Sequence, residues 1–323
     1  MSSMPESAGR VSARGAARRR GMSLLGEEWA GAMLGLLSQE DCTAEEIEER
    51  LGGRLERSPR RALRDLTQMG LVASVPGNRF PARTPYALEP PGRDLLETIE
   101  ALETWRGSWT PAHPEDAGLR RLVTRPEARL VGRALVEGPL PFRDLQRRIP
   151  GLSAGTLHRV LGRLRESGVV RVDPRSPSNH PLYELGEPGR RLGRVIVLGA
   201  RWRWRWAADR ASPDAGDLPG LVHLLAPLAK VPRPLEGTCR LTILPPSHWP
   251  DGEPFAAWAR VSGGRLVALA LRPVLGGVQV RMSAPPQAWC DALLAGRTDG
   301  VEVAGDAALA SGVVAALADA IAR

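Results

Sequence analysis

The sequence predicts an α+β chain: two tandem copies of one small helical unit ending in a hairpin, then a smaller α+β domain. Three observations carry that expectation. "HPLYELGEPGRRL" at 180–192 restates "TPYALEPPGRDL" at 84–95, and an offset of 97 lays Tyr183 on Tyr86, Leu185 on Leu88, Gly189 on Gly92, Arg190 on Arg93 and Leu192 on Leu95. The same offset lays Trp202 on Trp105 and Trp206 on Trp109. Upstream, "ALRDLTQMGLV" (62–72) lies over "VLGRLRESGVV" (160–170) at an offset of 98, so the chain carries an internal duplication of about ninety residues per copy. From residue 213 onward the style changes to short alternating stretches in which nine Lys/Arg balance ten Asp/Glu.

Size and composition bound the rest. With 323 residues, 43% hydrophobic and 25% charged, the chain is globular and long enough for two or three domains. No apolar run approaches the roughly 18 to 20 residues that span a bilayer, and residues 1–20 hold arginines without a secretory core, so the expected compartment is the cytoplasm, with no membrane partner. Cys42, Cys239 and Cys290 are odd in number and widely spaced, which reads as small buried hydrophobes rather than a disulfide framework or zinc site. The net charge of +8 is unevenly placed: residues 119–207 have nineteen Arg against seven acids, whereas residues 23–110 have ten against fifteen. A positive field gathered in one copy is the footprint of a polyanion binder.

Within the second copy, "PEARLVGRALV" (126–136) places Leu130, Ala134 and Leu135 at helical spacing before Gly138-Pro139 breaks it. "FRDLQRRI" (142–149) repeats apolar residues at Phe142, Leu145 and Ile149 and stops at Pro150-Gly151. A third helix starts at Ser153, a good N-cap, and runs to Gly168, with Leu157, Val160, Leu161 and Leu164 as its buried stripe and His158, Arg159, Arg163 and Arg165 off it. "VVRVDPRSPSNHPLYELG" then reads as two strands joined by a loop, with Arg171, Arg175 and His180 in or beside it. Three helices and a basic hairpin make a winged helix-turn-helix.

The run "EGPLPFRDLQRRIPGLSAGTLHRVLGRLRESGVVRV", followed by "YELGEPGRRL" and a helix ending in tryptophan, resembles the HxlR family of bacterial transcription regulators, relatives of the MarR group. The resemblance covers about eighty residues of the second copy. In the first copy "LLGEEWAGAMLGLL" (24–37) resembles the family's opening helix with Trp29 at its tryptophan, and both copies lack the cysteine usual ahead of that helix. The resemblance implies double-stranded DNA as partner. A helix fits the major groove, arginines read guanine edges, and a basic hairpin tip reaches phosphate or the minor groove. The candidates in the second copy are His158 and Arg159 near bases, Arg163, Arg171 and Arg175 on phosphates, and Ser153 and Thr156 at the helix start. In the first copy they are Arg57, Arg60, Arg61 and Arg64, opposed by Glu40, Asp41, Glu45, Glu46, Glu48 and Glu49 on or before its second helix. That charge split predicts that the second copy grips DNA while the first positions it or recognises a partner.

Family members are typically homodimers, and a tandem duplication can build such a dimer in one chain. "GRDLLETIEALETWRGSW" and "GRRLGRVIVLGARWRWRW" are then the pseudo-dimer helices, and the expected state is a monomeric pseudo-dimer or a homodimer. The "RWRWRW" run also suits a membrane surface or stacked bases, but alignment with Trp105 and Trp109 favours packing for Trp202 and Trp206. Domain boundaries follow: a disordered basic tail at 1–22, winged helices at 23–110 and 119–207, and the last domain at 217–323, after a linker at 209–220.

In that last domain "LVHLLAPLA" reads as a helix, "RLTIL", "PFAAWARV", "RLVALALR" and "VQVRM" as strands, "PQAWCDALLAG" as a helix, "VEVAG" as a strand and "DAALASGVVAALADAIA" as a closing helix. Its last forty-odd residues resemble the end of sterol-carrier-protein type lipid-binding domains. That resemblance implies a lipid-carrier-like fold with an apolar small-molecule pocket, here lined by residues such as Trp258, Leu269, Trp289 and Leu293, each of which serves equally as ordinary core.

No catalytic arrangement stands out: the chain has no H-E-x-x-H, P-loop or G-x-S-x-G motif, and His113, His158, His180, His223 and His248 lack metal-ligand spacing. The expectation is a regulator without enzymatic activity, cofactor or metal, possessing a ligand-sensing C-terminal domain. The alternative is a scaffold or lipid carrier whose degenerate winged helices do not bind DNA.

Overall fold

The computed structural model describes residues 20–55, 57–75, 84–108, 122–135, 138–149, 151–206, 222, 225–226, 228–245, 254–270 and 277–322. The tail expected at 1–19, the linker at 209–220, most of the helix read at 221–229 and the histidines at 113, 223 and 248 lie outside these residues. The described residues fall into two units, one of residues 20–108, 122–124 and 202–206, the other of residues 125–201 and 222–322.

The first unit opens with a 3-10 helix, Arg20–Gly26. Helix α1 (Glu28–Gln39) buries Trp29, Met33, Leu34 and Leu37. Helix α2 (Ala44–Leu51) begins with a capping box. The Glu46 N–H donates to Thr43 Oγ1 at 3.3 Å and the Thr43 N–H donates back to the Glu46 carboxylate at 2.8 Å. Helix α3 (Pro59–Gln68) buries Ala62, Leu63 and Leu66, and strands β1 (Val72–Ser74) and β2 (Tyr86–Leu88) form the antiparallel wing stem. A bridge between Cys42 and Tyr86 adds a third chain to that stem. Helix α4 (Pro90–Gly107) closes the repeat, burying Leu95, Leu96, Ile99, Leu102 and Trp105.

The second unit repeats the plan with helices α5 (Pro126–Leu135), α6 (Phe142–Arg148) and α7 (Ala154–Glu166). Its wing is three-stranded, with β3 (Leu140–Pro141) and β4 (Val170–Val172) on either side of β5 (Leu182–Leu185). Strand β3, two residues long, has no periodicity to betray it, but Leu140 pairs with Tyr183 as Cys42 pairs with Tyr86. On α5 the expected stripe is corrected: Leu130 is exposed, and Ala128, Val131 and Leu135 at i, i+3, i+7 form the buried side. Val160 on α7 is half-buried. A single-turn helix α8 (Glu187–Arg190) leads into α9 (Gly193–Trp206).

The duplicated "GR" phrase has a steric cause. A Cβ on Gly92 would lie 2.3 Å from the Leu71 carbonyl oxygen, and one on Gly189 would lie 2.4 Å from that of Val169. In each repeat the helix after the wing crosses the residue before the first wing strand at a distance that only glycine allows.

The C-terminal domain is a five-stranded sheet in the order β10 (Glu302–Gly305), β9 (Val280–Ala284), β6 (Gly237–Ile243), β7 (Phe255–Ser262), β8 (Arg265–Ala270), with β6 and β9 parallel and the other pairs antiparallel. Cys239, Leu241, Ala257, Ala259, Val261, Val280 and Met282 occupy its buried face with helices α10 (Pro286–Ala295) and α11 (Ala307–Ala322). The α+β expectation for this stretch holds strand by strand. None of the three cysteines forms a disulfide, all are buried, and burial pushes the Cys239 thiol up to about 12. Among the described residues no helix is long and apolar enough to cross a membrane.

Candidate nucleic-acid interface

Helix α7 is positioned by its own apolar stripe, Leu157, Leu161 and Leu164, which leaves His158, Arg159, Arg163 and Arg165 exposed on the outside. Its start is capped: Ser153 Oγ accepts from the Thr156 N–H at 3.2 Å and donates to Thr156 Oγ1 at 2.9 Å, so both hydroxyls are engaged with each other. The His158 ring lies edge-on to Phe142 with centroids 6.5 Å apart, which ties the second turn of α7 to the start of α6. Among the described residues, Arg159, Arg163 and Arg165 form no ion pair or side-chain hydrogen bond, and their charge is available to a ligand.

The wing is divided. Arg171 lies opposite Glu184 across the β4–β5 ladder and its Nε donates to the carboxylate at 2.6 Å, so its charge is largely answered within the protein. Arg175 sits in the tip, where its backbone N–H donates to Asp173 Oδ1 at 2.9 Å and its side chain is exposed. The geometry thus brings together His158, Arg159, Arg163 and Arg165 on one helix, with Arg175 and His180 at the wing beside it. Arg165 belongs to the set although the sequence reading left it out of its candidates. The signal for it was present, since it falls off the buried stripe.

The first repeat treats its arginines differently. Arg57 pairs with Asp65, and its guanidinium carbon lies 4.5 Å from the Trp29 ring centroid. Arg60 pairs with Glu45 at 2.8 Å, and Arg50 with Glu40. Arg61 and Arg64 are exposed on α3.

Residues 24–114, and again residues 126–211, match the family described as HxlR-like helix-turn-helix. The chain belongs to that family. Both HxlR-like stretches coincide with the three-helix-and-wing units described above, and membership carries DNA binding and transcription regulation as the coarse function. No curated protein and no solved structure matches the chain. The HxlR-like matches stop before the C-terminal domain, so the sterol-carrier likeness rests on the sequence alone.

In that domain two of the four expected pocket residues lie together. Trp289 and Leu293 line an apolar cavity with Val222, Leu241, Ile243, Phe255 and Ala257. Trp258 does not line it: strand alternation puts Trp258 on the sheet face opposite Ala257 and Ala259, where its ring lies 5.5 Å from the Arg240 guanidinium carbon. Leu269 pairs with Ala259 in the β7–β8 ladder, and its side chain lies outside the described atoms. The cavity leaves about 10 Å³ of free space, enough for one water-sized sphere and too little for a lipid. Among the described residues no group of three or more His, Cys, Asp or Glu is placed to hold a metal.

Proposed function

We propose that the protein is a transcription regulator that enters the major groove with α7 and touches the flanking backbone with the wing tip. The observation that carries this is the cluster of exposed, unpaired arginines on α7, set off its buried stripe. His158 and Arg159 lie nearest the helix start and face base edges; Arg163 and Arg175 face phosphates. Ser153 and Thr156 hold the helix start in place through their mutual hydrogen bond. The two repeats act as an intramolecular pseudo-dimer. Its support is the last turn of α9, which groups with the first repeat: the buried Trp202 donates from Nε1 to the Pro91 carbonyl at 2.7 Å and Trp206 to Asp94 Oδ2 at 2.7 Å.

An apolar ligand in the C-terminal domain biases DNA affinity by preferring one arrangement of the chain. The apolar lining supports this part of the reading; the cavity must widen before it takes anything larger than water.

Fluorescence anisotropy of the full chain against duplex fragments, including its own upstream region, tests the reading across a salt series. Affinity is expected to fall steeply with salt and to be lost in an R159A/R163A double variant. A salt-independent, unselective signal that the double variant leaves unchanged would transfer the chain to the scaffold or carrier reading.

A further inference from the structure

The two repeats are aligned closely enough to compare their reading helices position by position. The C-caps of α3 and α7, Met69 and Ser167, coincide at the offset of 98, as do the first wing strands. Counted back from there, α3 begins at Pro59, the counterpart of Leu157, whereas α7 begins three residues earlier at Ala154. Helix α3 has 10 residues and α7 has 13, so the first repeat lacks about 4.5 Å of helix at the leading end. In helix-turn-helix proteins that end carries the residues that meet base edges.

Four substitutions of character accompany the missing turn. Asp65 stands where the second repeat has Arg163, so a phosphate facing that site would meet a carboxylate. Arg57 stands where the second repeat has Gly155, and it is held by Asp65 and the Trp29 ring; the second repeat has Glu127 at the position of Trp29. Arg60, at the position of His158, is held by Glu45 from α2. On α2, Glu48 and Glu49 are also exposed. Arg50, Arg57 and Arg60 therefore answer acids of the same repeat, and Arg61 and Arg64 are left beside the exposed Glu48 and Glu49.

Resting on the regulator reading above, we infer that the chain has a single DNA-reading head, the second repeat, and that the first repeat's helix-turn-helix surface does not enter the groove. Each chain then reads one half-site, a single major-groove face, although it carries two winged helices. Specificity lies in the extra turn of α7 and in Arg159, Arg163 adds grip on the backbone, and repeat one contributes framework.

The test compares exposed arginines of the two reading helices in the full-length chain: R159A against R61A, the same position in the two repeats, and R163A against R64A, which lies one residue before Asp65, the counterpart of Arg163. Each is read by duplex affinity at fixed salt, with thermal midpoints confirming that every variant folds. Loss of about 10- to 100-fold for R159A and R163A, with R61A and R64A within about twofold of the parent, is expected. So is a footprint of one half-site per chain. Equal losses at both repeats, or one chain protecting two half-sites a helical turn of about 10 base pairs apart, would overturn the single head while leaving the regulator standing. A parent chain with no selective binding would overturn both.

Discussion

Set side by side, the two repeats bury the same positions. Met33 and Val131, Leu37 and Leu135, Ile47 and Leu145, Leu63 and Leu161, Leu66 and Leu164, and Leu88 and Leu185 are buried pair by pair. Their surfaces diverge: Arg57, just before α3, and Arg60 on it are tied to Asp65 and Glu45, while Arg159, Arg163 and Arg165 on α7 stand clear. A core position constrains its residue by volume and by the absence of water, so both copies hold to it. A surface position is constrained only by what it touches, and after duplication one copy is enough to touch DNA. The framework and the reading function are thus separable in this molecule.

The largest expected effect that sharpens this comparison comes from Trp202. It is fully buried in the first unit, and truncation to alanine is expected to cost about 3–5 kcal/mol in urea unfolding, with Trp204→Ala on the half-exposed side of α9 within about 0.5 kcal/mol. Equal losses would break the assignment of Trp202 to the core. Next come the paired glycines. Gly92→Ala and Gly189→Ala each force a methyl against a backbone carbonyl, and each should cost about 1–3 kcal/mol. Because the close approach is the same in both repeats, the two losses should match; a cost at one repeat only would show that the framework has diverged as well. The smallest concerns a feature of one repeat alone. Thr43→Ala removes the capping box of α2 and is expected to cost about 1 kcal/mol, visible as faster amide exchange in the first turn of α2. The second repeat has Pro141 at that position and no side-chain cap on α6, so its exchange should not change.

Much of this was legible in the sequence because repetition is a strong signal. The Tyr86/Tyr183 and Gly92/Gly189 correspondences locate both wings and both crossing helices in the sequence itself. Ser153 announced the start of α7, and Ser58 before Pro59 carries the same information about the shorter α3. What a linear reading misses is the partner chosen across space. Arg57 and Arg60 look as available as Arg159 until Asp65, Trp29 and Glu45 are placed around them. Arg171 is drawn to Glu184 by strand register, which a loop of uncertain length conceals. The resemblance to lipid carriers implies Trp258 in an apolar pocket, yet a shift of one residue along a strand reverses the face. Leu130 failed similarly on α5: one step of about 100° separates it from the buried Val131.

The hydrogen bond from Trp202 to Pro91 spans 111 residues, and it belongs to the unit that begins first. That has a consequence for the order of synthesis. At translation rates of about 5–20 residues per second, the N-terminal repeat waits on the order of 10 s for the indole that completes its core. During that interval the whole of the second repeat's helix-and-wing segment is made. The first repeat to leave the ribosome is therefore finished only after its copy has been synthesised, and truncation before residue 202 leaves an exposed apolar site on a domain whose own sequence looks complete.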